Sequence, residues 1–204
     1  MIHENVKTDF VSKEYTPVID ASAYVHPLAA VIGNVILGKN VMVAPFASVR
    51  GDEGQPIYVG NDSNVQDGVI IHALETEHHG HPIEKNMVEV SGKKYAVYVG
   101  SRVSLAHQVQ IHGPAYVGDS TFIGMQCLIF KSKVGKGCVV EPKSLIMGVT
   151  ILDGRYVPAG SVIKTQNDAD NLPVIDDNYP FKDLNDGVIH VNVSLAAGYK
   201  AKKI

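Results

Sequence analysis

An aliphatic residue recurs at every sixth position along most of this chain, and no other feature constrains its fold as strongly. Gly, Asn and Asp cluster just after the aliphatic position, which supplies turn-forming residues at a fixed phase. A period of six fits neither the alternation of an ordinary strand nor the repeat of about 3.6 residues in a helix. It is typical of a parallel β-helix, in which three hexapeptides complete one turn. The sequence therefore predicts an all-β fold.

The repeat keeps its phase over many steps, which a chance run of aliphatic residues would not do. One-residue slips occur only in its last part. The aliphatic positions are Ile19, Val25, Val31, Leu37, Val43, Val49, Val59, Val65, Ile71, Val99, Leu105, Ile111, Val117, Ile123, Ile129, Val134, Val140, Ile146, Ile151, Val157 and Ile163.

Two interruptions and a change of composition divide the chain. Residues 51–58 form a short excursion, and residues 73–98 form a long loop rich in Glu and His. An insertion of that length in a compact domain is usually functional or disordered, and its Glu and His residues favour a functional loop. We therefore expect a β-helix domain over residues 1–165 with an active-site loop at 73–98, followed by residues 166–204.

The last segment changes from a polar linker to a helical pattern. Its apolar residues recur at helical spacing, and lysines near its end suit a helix C-terminus. We expect an α-helix from about Asp183 to Lys203 that packs along the outside of the coil. The apolar residues of this pattern are Leu184, Val188, Val191, Leu195 and Tyr199.

Charge and composition exclude several classes of function. The net charge is −3, and Lys and Arg form no basic block beyond residues 200–203, so we expect no nucleic-acid partner. No apolar run approaches the length of a membrane span, and the N-terminus lacks a secretory signal. We expect no membrane association and a cytoplasmic location, with a leader removed before residue 1 left open. Cys127 and Cys138 lack C-x-x-C spacing, and we interpret them as small buried apolar residues.

The phase of the repeat brings two histidines together. Counting three hexapeptides per turn places the positions Ile71 and Ile111 one coil apart, so His72 and His112 stack on the same face, with Arg50 one coil below. Adjacent coils are separated by roughly 4.8 Å. Two imidazoles on successive coils can therefore reach one ion at the zinc–nitrogen bond length of about 2.0 Å.

A third histidine falls on the preceding face by the same count. His107 lies five residues before His112 and stacks above Asp67 of the coil below. Neither face has enough ligands to close a metal site, whereas a threefold oligomer would bring one face of each subunit against a different face of its neighbour. His72 and His112 of one chain would then join His107 of the next, and three histidines leave the open position typical of catalytic zinc.

Several motifs around these histidines resemble the γ-class carbonic anhydrases, over nearly the whole chain. They are Ala47-Ser-Val-Arg-Gly-Asp-Glu-Gly54, Asn64-Val-Gln-Asp-Gly-Val-Ile-Ile-His-Ala-Leu-Glu-Thr76, Tyr95-Ala-Val-Tyr98, Val103-Ser-Leu-Ala-His-Gln108, His112-Gly-Pro114 and Thr121-Phe-Ile-Gly-Met-Gln126. This combination is more specific than the hexapeptide repeat, which many acyltransferases share. The resemblance implies a homotrimeric left-handed parallel β-helix with a metal at each subunit interface.

The resemblance also implies an activity, namely the reversible hydration of CO2 to bicarbonate by a metal-bound hydroxide, catalysed by a carbonate dehydratase of the lyase class. The metal would be zinc, with iron or cobalt as alternatives because the same imidazoles accept each. The resemblance implies that His72, His107 and His112 ligate the metal and that Gln66 hydrogen-bonds the metal-bound water. It implies that Asn64 and Glu53 lie near the water network of the active site and that Glu75 transfers the proton. It further implies that Arg50, Asp52 and Asp67 support the interface and the handling of bicarbonate, and that Asn192 reaches towards the site.

The chain departs from the family pattern in two places. The loop contains Glu77-His-His-Gly-His81 in place of a largely acidic sequence, and His190 replaces a tyrosine two residues before Asn192. We hypothesise that His78, His79 or His81 shares the proton-shuttle role, and solvated loop histidines are the alternative. The role of His190 stays open.

Two other functions compete with a carbonic anhydrase. A hexapeptide-repeat acyltransferase shares the fold and often uses one histidine at a subunit interface, but it needs no stacked pair with a third histidine. A noncatalytic γ-type assembly subunit is the second alternative. The intact ligand set and Glu75 argue against this second alternative.

Overall fold

Short parallel strands stack into three flat faces in the computed structural model, which describes residues 1–202. The faces contain eight, seven and seven strands. The histidine face consists of Ile2–His3, Ala30–Gly33, Ser48–Gly51, Ile70–His72, Gln110–His112, Leu128–Phe130, Leu145–Met147 and Val162–Ile163. The tyrosine face consists of Val18–Ile19, Val35–Leu37, Ile57–Val59, Val97–Val99, Ala115–Val117, Lys133–Val134 and Thr150–Ile151. The helix face consists of Tyr24–Val25, Met42–Val43, Asn64–Val65, Ser104–Leu105, Phe122–Ile123, Val139–Val140 and Tyr156–Val157.

The strand register confirms the hexapeptide count. Ile71 pairs in parallel with Ile111 on the next coil, and both side chains are buried in the interior of the coil. Val117 pairs with Val134, and Val134 with Ile151, so these coils close with one residue fewer. The one-residue slips therefore shorten the turns between strands, and the aliphatic residues remain in the interior of the coil.

The interior of the coil also contains both cysteines. Cys127 and Cys138 are fully buried and unpaired. Burial raises the pKa of each thiol to about 11. The interpretation of these residues as small buried apolar groups is confirmed.

The long insertion is more ordered than a plain loop, and its end differs from the prediction. It contains the antiparallel pair Glu77–His78 and His81–Pro82, a 3₁₀ turn at Glu84–Asn86, and the antiparallel pair Val88–Val90 and Lys93–Tyr95. The predicted boundary at residue 98 is wrong by two residues, because the strand Val97–Val99 already pairs with coil strands on both sides.

The segment after the coil contains two helices. The short helix α1, Gln166–Asp170, replaces part of the predicted linker, because Thr165 and Asp168 form a reciprocal capping box at its start. Helix α2, Leu184–Lys202, packs on the helix face, as predicted. Residues 203 and 204, the end of the predicted helical segment, lie outside the described residues. Within residues 1–202, neither helix is long and apolar enough to span a bilayer.

The side of α2 that packs on the coil differs from the apolar pattern in the sequence. Asn185, Ile189 and Ala196 are buried, whereas Leu184, Val191 and Leu195 are exposed. The buried positions include an asparagine and an alanine because Asn185 donates to the Arg102 carbonyl and the small Ala196 fits close to the sheet. Much of the apolar stripe on this helix therefore remains uncovered in a single chain.

Candidate metal centre

The register of the histidine face places His72 and His112 on neighbouring strands. Their ring centroids are 5.4 Å apart and the rings are nearly perpendicular, with an interplanar angle of 85°. The ring of Phe130, on the following coil, lies 5.5 Å from that of His112. His112 Nδ1 lies 3.3 Å from the Gly113 carbonyl oxygen, which leaves Nε2 as the free nitrogen of that ring. The stacking predicted from the repeat is confirmed.

Two carboxylates surround His72. Its Nε2 lies 3.2 Å from Asp52 Oδ1 and 3.1 Å from Glu53 Oε1. Hydrogen bonds to Asp52 and Glu53 raise the pKa of His72 to about 9, although partial burial opposes the shift. The donor atoms of the three side chains all lie within 4.8 Å of one another, so the acids supply negative charge next to the stacked imidazoles.

Arg50 connects this acidic pair to the coil below. Val49 pairs with Ile71, so Arg50 lies one coil below His72 as predicted. Its Nε donates to Asp52 Oδ2 at 3.0 Å. Burial raises the pKa of Asp52, but the hydrogen bonds from His72 and Arg50 outweigh it and leave the pKa below its usual value.

His107 lies apart from the stacked pair, in the turn that follows the strand Ser104–Leu105 of the helix face. Its Nδ1 lies 3.0 Å from Asp67 Oδ2, one coil below, and both side chains are about half exposed. A histidine that donates its Nδ1 proton to a carboxylate keeps the Nε2 lone pair for a metal. The predicted stacking of His107 above Asp67 is confirmed, and so is its separation from the other two histidines.

A chain of buried polar side chains lies beside His107. Gln66 Nε2 donates to Asn64 Oδ1 at 2.9 Å, and Asn64 Nδ2 donates to Ser104 Oγ at 2.9 Å. Because the amide nitrogen of Gln66 is used in this way, its Oε1 remains as an acceptor. The support from Ser104 was missed in the sequence, because a serine in a repeat turn carries no signal of its own.

A cavity of about 630 Å³ opens between this edge and helix α2. Gln66, Asp67, His107 and Asn192 all line it. Asn192 Nδ2 donates to the Val188 carbonyl at 2.9 Å, which holds the amide against its own helix. His190 is exposed on α2 and is not among the residues that line this cavity.

Glu75 lies in a second, smaller cavity of about 270 Å³. Asp9, Phe10, Glu53 and His78 line it as well. His78 is therefore the loop histidine that the structure brings to Glu75, whereas His79 and His81 do not line this cavity. The contribution of the N-terminal segment was missed, because nothing in the sequence relates it to a loop some seventy residues later.

The predicted site residues thus fall into two groups on one chain. The first group is on the histidine face and its loop and contains Arg50, Asp52, Glu53, His72, Glu75 and His112. The second group lies around the cavity between the edge of the helix face and α2 and contains Asn64, Gln66, Asp67, His107 and Asn192. Imidazole nitrogens oriented by carboxylates, as in His72 and His107, or by a backbone carbonyl, as in His112, suit zinc, iron or cobalt, so the donor chemistry of the three histidines fits a catalytic metal.

Comparison with known proteins relates this arrangement to a group of enzymes. No family model matches the chain. The chain is 60% identical over 200 residues to a carbonic anhydrase of Methanosarcina thermophila, covering 98% of this chain and 81% of that protein. It is 29% identical over 147 residues to the mitochondrial gamma carbonic anhydrase 1 of Arabidopsis thaliana, covering 72% of this chain and 46% of that protein.

Two further similarities are to proteins whose names do not describe a carbonic anhydrase. The chain is 45% identical over 181 residues to the carboxysome assembly protein CcmM of Nostoc sp., covering 89% of this chain but 31% of that protein. A hexapeptide transferase family protein of Anaplasma phagocytophilum has a similar structure, with a TM-score of 0.68 and 21% identity over 91% of this chain and 93% of that one. At that identity the structural likeness concerns the fold alone.

Proposed function

The chain belongs to the γ class of carbonic anhydrases, and from that premise we propose that it hydrates CO2 reversibly to bicarbonate at a metal site shared between subunits of a homotrimer. The identity of 60% over nearly the whole chain supports the activity. The observation that carries the shared site is the separation of His107 from the stacked pair His72 and His112.

We propose that His72 and His112 of one subunit and His107 of its neighbour hold zinc, with iron and cobalt as alternatives. A dication bound there would lower the pKa of a coordinated water from 15.7 to about 7. Asp67 holds the His107 ring in the tautomer that a metal requires. Asp52 and Glu53 provide negative charge beside His72, which favours a cation.

Gln66 would orient the reacting water. Its amide nitrogen is fixed by Asn64, so its Oε1 is the atom that accepts a hydrogen bond from that water. Asn64 is fixed in turn by Ser104. Arg50 would bind the anionic product, since its guanidinium is half exposed next to Asp52. Asn192 approaches the same region from α2 and lines the cavity beside His107.

The proton released in the reaction would leave through Glu75. Glu75 and Glu53 line the same small cavity, which opens beside the active-site loop. His78 lines that cavity too, and it is the loop histidine placed best to share the transfer.

The uncovered apolar side of α2 supports the proposed homotrimer. Leu184, Val191 and Leu195 are exposed in a single chain and line the cavity that contains His107. Contiguous apolar surface of this kind is typical of an interface between proteins. A neighbouring subunit that brings its histidine face to this edge would cover these side chains and complete the metal site at the same step.

Mixed oligomers test the proposal. We expect His107→Ala chains and His112→Ala chains to lose the metal of the three-histidine centre and to hydrate little CO2 when each is assembled alone. Trimers that mix the two variants contain interfaces where an intact His107 edge meets an intact His72 and His112 face, and those interfaces should regain metal and activity. No recovery of metal in any mixture would contradict a shared site.

Metal analysis followed by a stopped-flow assay of CO2 hydration separates the competing functions. We expect stoichiometric metal and a high hydration rate. Metal-free protein that is active with an acyl-CoA would indicate an acyltransferase. Metal-loaded protein without hydration activity would indicate an assembly subunit, a possibility raised by the similarity to CcmM.

A further inference from the structure

The tip of the hairpin in the active-site loop places two adjacent histidines side by side. The strands Glu77–His78 and His81–Pro82 pair antiparallel and are joined by two residues, His79 and Gly80. Both have positive φ, 49° and 77°, as in a type I′ turn. The ring centroids of His78 and His79 are 4.3 Å apart, and both side chains are exposed.

The N-terminal segment docks on this hairpin and brings a carboxylate with it. The His79 backbone N–H donates to the Asp9 carbonyl oxygen at 2.6 Å. The Ser12 backbone N–H donates to Glu77 Oε1 at 2.6 Å. These two contacts fix Asp9 next to the tip of the hairpin, although the two segments are far apart in the sequence.

Three metal-ligating side chains meet at this point. The donor atoms of Asp9, His78 and His79 all lie within 4.8 Å of one another. Ligand atoms around a tetrahedral zinc ion with bonds of about 2.0–2.1 Å are roughly 3.4 Å apart, so small rotations of these exposed side chains would complete the geometry. Two imidazoles and a carboxylate are ligands that zinc, nickel and copper accept. The single negative charge of Asp9 favours a dication.

We propose that Asp9, His78 and His79 form a second binding site for a divalent transition metal, separate from the three-histidine centre. An ion there would cross-link the N-terminal segment to the active-site loop. Because Asp9 and His78 also line the cavity that contains Glu75, the ion would lie next to the proposed path of the proton and occupy a ring nitrogen of His78. This last consequence rests on the proposed function, whereas binding of the ion does not.

Metal stoichiometry of the full chain tests the second site. Chelator-treated protein is titrated with Zn²⁺, and bound metal is counted after gel filtration. We expect two equivalents per chain for the unmodified protein and one for the His78→Ala/His79→Ala variant. The His81→Ala variant is the matched control, because His81 is exposed in the same hairpin but is absent from the cluster, and it should keep two equivalents.

A second variant separates this site from the catalytic one. His72→Ala/His112→Ala removes the stacked pair, and the protein should retain one equivalent that Asp9→Asn weakens. Equal metal content in the unmodified protein and in His78→Ala/His79→Ala, whether one equivalent or two, would overturn the proposal. A failure of the proposed function would instead leave the loop equivalent in place while CO2 hydration is absent.

Discussion

Two of the three proposed metal ligands lie in different environments. His72 lies between Asp52 and Glu53, and the proximity of the carboxylates holds its pKa near 9. His107 is half exposed at the edge of the helix face, and its ring contacts Asp67. A histidine whose Nδ1 is held by a carboxylate and whose Nε2 is free is suited to complete a metal site on a neighbouring molecule.

Replacing Asp67 by Ala should weaken metal binding by about 10–100-fold, because the His107 ring loses the carboxylate that fixes its tautomer and orientation. Competition with a chromophoric chelator measures the affinity. The isosteric Asp67→Asn variant keeps an acceptor oxygen and should recover part of the loss. Equal affinity in the Ala variant and the unmodified protein would show that Asp67 does not orient the ligand.

At the scale of elements, some corners of the coil leave no room for a side chain. A Cβ on Gly60 would lie 2.6 Å from the carbonyl carbon and oxygen of Gly100, on the next coil. Helix α2 imposes no such limit, because a Cβ on Gly198 would have no neighbour within 4 Å. The close stacking of coils therefore depends on glycine at particular turns.

We expect Gly60→Ala to lower the free energy of unfolding by about 1–3 kcal/mol through overpacking at the corner. Gly198→Ala is the control and should raise it by roughly 0.5–1 kcal/mol, since alanine is the better helix former. Urea denaturation measures both. A neutral Gly60→Ala variant would mean that the coils can separate locally at little cost.

The tyrosine face contains a ladder of stacked rings. The centroids of Tyr58 and Tyr98 are 5.1 Å apart, and those of Tyr98 and Tyr116 are 5.5 Å apart. Burial, followed by the neighbouring tyrosines and Asp119, raises the pKa of Tyr98 to about 12. The pKa values of Tyr58 and Tyr116 are raised as well, chiefly by burial.

This ladder predicts a loss of stability in alkali. Above pH 10 the unfolded chain releases phenol protons that the folded chain still holds, so the free energy of unfolding falls as pH rises from about 10 to 12. Tyr98→Phe removes one of these protons and should make the decline less steep. Urea midpoints measured across this range give the slope, and an unchanged slope would contradict the assignment.

The division of the chain into a domain over 1–165 and a segment over 166–204 stays a prediction. Helix α2 packs on the helix face, and the last coil contacts α1.

At the scale of the whole molecule, assembly and metal binding should stabilise the protein together. A ligand present at a hundredfold excess over its Kd adds about 2.7 kcal/mol, which corresponds to roughly 5–11 °C in the unfolding midpoint of a domain of this size. We expect the midpoint to rise with catalytic metal and with protein concentration, because each ion would bridge two subunits. Differential scanning calorimetry measures both dependences.

The His107→Ala variant is the control for this effect. It should lose most of the stabilisation by metal, since it removes one subunit from each bridge. A midpoint that depends on neither metal nor protein concentration would contradict a site that links subunits.

The sequence was sufficient to predict the β-helix and to place His107 on a different face from His72 and His112. Ile71 and Ile111 occupy the same phase of a strict repeat, so the neighbours of His72 follow from counting. The same count separates His107 from His112, because a triangular coil turns a corner between them. Repetition converts sequence distance into spatial distance, which few other folds allow.

The tertiary structure decided what repetition does not cover. The docking of Asp9 on the His78 and His79 hairpin depends on backbone contacts between two irregular segments, and no period in the sequence relates them. The sequence pattern also did not determine which side of α2 packs on the coil. Asn185 and Ala196 are buried there by local fit, whereas most of the apolar stripe stays exposed at the edge that contains His107.

These outcomes share one physical reason. Periodic hydrophobicity determines which residues enter a repeating core, because each coil repeats the environment of the coil before it. Contacts between unlike elements, such as α2 on the helix face or the N-terminal segment on the hairpin, depend on shape and hydrogen bonding that only the folded chain brings together.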